Sequence, residues 1–264
     1  MVDGAVITGM MFAMFMCITV PVVIIMYIML KIKPYGFLPF LIGGVISVVI
    51  GPVIIGTVLG VLLRYAGVES SVVTSIITAM LLIIALAGIL KYLEPGGIYY
   101  KQIFAIAAGA DAAYAIVYNY ISISERLKLI SAVKNGGESY YGDMSDKEIN
   151  AFKEGLSNMK ASSYYITGIV QTLMIIFLFA ACYLIMKGIY ENKFYLYTSI
   201  VAGVYVVKDM IFILLSKYAG NVAGLIFTVI AALGVLYYIK KIFSKDIRVM
   251  SLAEKRKKGL VDIY

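Results

Sequence analysis

Six side chains of types suited to chemistry lie within stretches that are otherwise apolar. Asp111, Tyr114 and Tyr118 fall at i, i+3 and i+7 in IYYKQIFAIAAGADAAYAIVYNYISI (98–123), one face of a helix. Tyr205, Lys208 and Asp209 fall within FYLYTSIVAGVYVVKDMIFILLS (194–216). A carboxylate at bilayer depth costs several kcal/mol unless it is paired, protonated or wetted, so such groups face protein or a wet cavity. Lys208 has two carboxylates to choose from, Asp209 beside it or Asp111 on the other helix. The six therefore predict a polar cleft. Asp111 and Asp209 could also form an aspartyl pair sharing a proton around one water, which makes them the candidate catalytic residues. As a third reading, Asp111 and Lys208 could relay a proton or ion in a small transporter or channel component.

The elements that carry these groups must be membrane helices. The chain has 264 residues, 62% hydrophobic and 14% charged, where soluble domains hold roughly a quarter charged residues. Seven segments reach the roughly 20 apolar residues needed to cross a bilayer core: 5–30, 37–63, 71–93, 98–123, 164–187, 194–216 and 222–243. The expected fold is an all-α, polytopic transmembrane bundle forming a single domain over 1–264. Small residues surround Asp111 (Ala105, Ala107, Ala108, Gly109, Ala110, Ala112, Ala113), so neighbouring helices can approach the fourth segment closely. Gly43, Gly44, Ser47, Gly51, Gly56 and Gly60 make a second small-residue ridge, and Gly220 with Gly224 repeats the GxxxG spacing. Internal packing is the first meaning of these ridges and a homodimer seam the second. Pro21 and Pro52 are expected to bend the first two helices.

Basic residues set the orientation. Eight crowd near the C-terminus, among them Lys240, Lys241, Arg248 and Lys257. This predicts an N-out, C-in multi-pass protein of the cell membrane, with a lipid-facing cytoplasmic tail over 244–264 rather than a nucleic-acid surface. The N-terminus lacks the features of a cleaved signal and reads as a retained first helix. The stretch 124–163 reads as an extramembrane loop. Within it Ser145 to Glu148 forms a capping box ahead of Ile149, Phe152 and Leu156, which predicts a short amphipathic helix over 145–159 capping the mouth of the bundle. The chain has no histidine, which removes histidine-based zinc and acid–base chemistry. No cofactor or metal site is expected, and Cys17 and Cys182 read as small buried hydrophobes.

The order of segments, the early stretch PVVIIMYIMLKIKPYGFLPFLIGGVISVV, the AGADAAYAI of the fourth segment, the long loop after it and the VYVVKD of the sixth resemble the YhfC family of intramembrane peptidases. That family is similar in plan to glutamate-dependent CAAX-type membrane proteases, which use paired glutamates on one helix and histidines on two later ones. The resemblance implies a protease scaffold whose chemistry is replaced. Ala110 and Tyr114 stand where the family has a histidine and a glutamate, Tyr205 stands at a later histidine, and no acid lies between Glu69 and Glu94. Asp209 alone matches. The implied function is a proteolytically inactive relative that binds a membrane lipid, a hydrophobic peptide or another membrane protein in the remodelled cleft.

Overall fold

The computed structural model describes residues 3–31, 37–49, 71–93, 100–136, 154–155 and 159–257. Among them the chain is helical, with no strand, and the helices follow the order of the seven apolar segments. They are α1 (Gly4–Lys31), α2 (Phe37–Val48), α3 (Ser71–Leu93), α4 (100–136), α5 (Ala161–Tyr190), α6 (Phe194–Tyr218) and α7 (Asn221–Lys257). Six of these, all but α2, are long and apolar enough to cross a membrane. The protein is a polytopic helical membrane protein. Pro52, Gly56 and Gly60, and the amphipathic helix expected over 145–159 apart from its Glu154–Gly155 and Met159, lie outside the described residues.

Packing follows side-chain size. Large apolar residues such as Phe15, Met26, Leu30, Val204 and Ile230 point outward, whereas Ala105, Ala107, Ala108 and Ala110 of α4 are fully buried. Lipid is as apolar as leucine, so burying leucine gains little, and helices associate where small residues let backbones touch. The closest approach is between α2 and α4. A Cβ on Gly43 would meet the carbonyl oxygen of Ile106, and one on Gly109 would meet that of Phe40. Gly224 of α7 packs in the same way against Ser216 and Phe212 of α6, and Gly220 forms the turn between these helices at φ +89°. Both residues of this GxxxG are thus used within the chain.

Tight turns fix α5, α6 and α7 as antiparallel neighbours. Between α5 and α6 Asn192 takes a left-handed φ of 56°, and the Lys193 N–H donates to the Gly188 carbonyl at 2.7 Å. The main core joins α3, α4, α5 and α6 through Leu86, Leu90, Ile103, Ile106, Leu178, Ile185, Val201 and Tyr205. α1 continues through Pro21.

Two boundaries differ from the sequence reading. α4 does not stop at residue 123: it runs to Gly136, and the loop expected over 124–163 begins only after it. The reason is an apolar stripe, Ile123, Leu127 and Ile130, that continues beneath the charged residues and packs on Val6, Met10 and Tyr164. α7 likewise runs to Lys257, so the first part of the basic tail is a helical continuation of the span. A third feature lies inside α4. Tyr100–Tyr114 and Ile121–Gly136 are α-helical, but Ala115–Tyr120 between them is a π-helix, closed by the Ile121 N–H donating to the Ile116 carbonyl.

Candidate polar cleft

The π segment begins directly after Tyr114, beside the stripe of polar residues on α4. Such single turns recur at functional sites, and this one carries both Tyr118 and Asn119. Tyr114 and Tyr118 stack, with ring centroids 4.7 Å apart and planes at 24°. Asn119 turns to α5, where its Nδ2 donates to Gln171 Oε1 at 2.7 Å. Gln171 Nε2 then donates to Asp111 Oδ1 at 2.9 Å and approaches the Asp111 carbonyl at 3.5 Å. The chain of donors fixes how the Gln171 amide lies, with its oxygen toward Asn119 and its nitrogen toward Asp111.

Asp111 is 1% exposed and Gln171 4%. The cross-helix partner of Asp111 is thus a neutral amide on α5, not Lys208 on α6 as one sequence reading has it. Asp111 Oδ2 is buried and has no hydrogen-bond partner among the described residues.

Lys208 settles on its neighbour. Its Nζ lies 2.9 Å from Asp209 Oδ1, 3.5 Å from the Met174 sulfur, and over the rings of Tyr205 and Phe177 at 4.2 and 4.8 Å from their centroids. Ring faces attract the cation and the carboxylate neutralises it. Asp209→Asn is expected to destabilise the protein by about 2 kcal/mol, less than the roughly 3 to 5 of a fully enclosed pair, because the Asp209 side chain is 26% exposed. In detergent unfolding, the double variant Lys208→Met with Asp209→Leu should recover most of that loss. Equal losses in single and double variants would contradict the pairing.

These groups surround one cavity of about 450 Å³. All six residues singled out in the sequence line it: Asp111, Tyr114 and Tyr118 from α4, and Tyr205, Lys208 and Asp209 from α6. α5 lines it from Ile166 to Leu178, a length of about 18 Å at 1.5 Å per residue. Leu82, Met174, Leu178 and Phe212 give apolar wall. Among the described residues three buried polar atoms that line the cavity lack partners: Asp111 Oδ2, the Tyr118 hydroxyl and the Tyr205 hydroxyl. Buried polar groups are nearly always hydrogen-bonded, so three unsatisfied around one space mark a place where a partner is missing.

No protein-family model, curated protein or solved structure matches this chain. The chemistry must therefore be argued from the cavity itself. Among the described residues no group of three His, Cys, Asp or Glu side chains converges to hold a metal ion. Asp111 and Asp209 line the same cavity, but each is held by a different partner, Gln171 and Lys208. Sequence reasoning missed Gln171 and Asn119. The signal was present in each case: Gln171 is the only side-chain amide in the fifth apolar segment, and Asn119 stands between two tyrosines in the fourth.

Proposed function

We propose that this multi-pass protein of the cell membrane is a binding protein rather than a peptidase, and that the cavity between α4, α5 and α6 takes a small amphipathic ligand drawn from the membrane. The observation that carries the reading is the set of three buried, unpartnered polar atoms around an otherwise largely apolar space of about 450 Å³. Ligand sites typically have this volume and this mixture, mostly apolar wall with a few fixed polar groups. The volume favours one lipid-like molecule or a short extended peptide end over a whole helix, whose cylinder is roughly 10 to 12 Å across.

The YhfC-like plan fits this reading as a scaffold. Ala110, Tyr114 and Tyr205 occupy the positions where such peptidases would carry their histidines and acid. A tyrosine offers an apolar ring and one hydrogen-bonding tip, which suits recognition, and its neutral phenol is a far weaker base than the carboxylate or imidazole such peptidases would carry there. Native mass spectrometry of the full chain released gently from membranes should show a retained small molecule. Val170→Phe, which fills the cavity from α5, should lose it while unfolding at the temperature of the ligand-free wild type. Absence of any adduct in the wild-type protein, or an unchanged adduct in Val170→Phe, would overturn the proposal.

A further inference from the structure

We infer that the ligand carries an ammonium group that docks on Asp111 Oδ2. The inference rests on the binding role proposed above and adds the chemical class of the ligand. It starts from a charge balance. The charged residues lining the cavity are Asp111, Lys208 and Asp209. Lys208 and Asp209 neutralise one another at 2.9 Å. Among the described residues Asp111 has no counter-ion: Gln171 supplies a neutral amide to Oδ1, and Oδ2 has no partner there although the residue is 1% exposed.

When Asp111 is ionised its carboxylate only accepts hydrogen bonds, so its complement in that state must donate. Among donors a cation answers best. It supplies a counter-charge to the carboxylate, and charge-assisted hydrogen bonds are roughly twice as strong as neutral ones. The surrounding rings add to this preference. Tyr114 and Tyr118 are stacked next to Asp111 in sequence and Tyr205 lines the same space, and aromatic faces attract ammonium groups. The unpartnered hydroxyls of Tyr118 and Tyr205 can accept further N–H bonds. An anionic ligand would meet two carboxylates here, with the one lysine already engaged.

The test uses three soluble probes of like size, 2-phenylethylammonium, 2-phenylethanol and 3-phenylpropanoate, titrated against the full chain in lipid nanodiscs by calorimetry. The ammonium should bind saturably and at least about tenfold more tightly than the alcohol, a factor worth 1.4 kcal/mol, and the carboxylate more weakly still. Asp111→Asn keeps an acceptor for Gln171 and places a donor at Oδ2. It should bring ammonium binding down to that of the alcohol or below it, with folding checked by its unfolding temperature. Equal binding of alcohol and ammonium to wild-type protein, or tighter binding of the carboxylate, would overturn the ammonium assignment and leave the binding role standing. Saturable binding by none of the three would remove both.

Discussion

Replacing Gly109 by alanine is expected to loosen the bundle by about 3 kcal/mol, at the upper end of the roughly 1 to 3 typical of overpacking. The added carbon has no free space, because the Phe40 carbonyl of α2 occupies it, and backbone cannot swing aside as a flexible side chain could. Gly43→Ala should behave alike against the Ile106 carbonyl. Both changes push α2 off α4 within a turn of Asp111, so binding in the cavity should weaken with stability. Gly88 and Gly203 are the controls, since nothing lies within 4 Å of a Cβ at either. Alanine there should be neutral or stabilising by up to about 1 kcal/mol, the usual helical cost of glycine. Denaturant titration in detergent distinguishes these sets. Equal effects at Gly109 and Gly203 would contradict the crossing.

Asp111 should give the second large effect, and its sign depends on the substitution. Asp111→Leu removes the acceptor of Gln171 Nε2 in a buried place, and a stranded donor costs about 1 to 3 kcal/mol. Asp111→Asn preserves that hydrogen bond and removes a buried acid that has no cationic partner among the described residues, so the ligand-free protein should be as stable as wild type or more so. A salt bridge from Asp111 to Lys208 would instead make the asparagine variant clearly less stable. Comparing the two variants by thermal unfolding after ligand removal therefore tells an amide partner from a lysine partner. Leucine and asparagine of equal stability would contradict the network through Gln171.

Much of this arrangement was legible in the residue order. The seven apolar segments, the small residues flanking Asp111 and the tyrosine stripe on α4 follow from periods and lengths that need no knowledge of neighbours. The six polar residues on two helices also converge as their burial cost requires. What could not be read was the register between helices. Gln171 faces Asp111 because α5 sits at a particular height against α4, and that height depends on packing between residues such as Ile106 and Leu178 or Ile123 and Tyr164, which no single segment reveals. Lys208 had two carboxylates in its sequence reach, and its choice of Asp209 depends on Met174 and Phe177 of α5 lying beneath it. The end of α4 was misplaced for a different reason. Charges at Glu125 and Arg126 mark the end of a membrane-like composition, but a helix ends where its packing and caps end, and the stripe through Leu127 and Ile130 carries on.

The central claim is that the space between α4, α5 and α6 is a chamber with polar groups set in apolar wall that small molecules can enter, and not closed packing. Thiols react as thiolates, which form in a wet, polar setting and hardly at all against lipid. A cysteine at Val170, on the cavity wall, can therefore be compared with one at Ile230, which points outward from α7 at 64% exposure. The native Cys17 and Cys182 are both fully buried. In the full chain in nanodiscs, a small charged methanethiosulfonate should label Val170→Cys readily and leave Ile230→Cys and the native cysteines untouched. A Val170→Cys thiol as silent as that of Ile230→Cys would contradict the account.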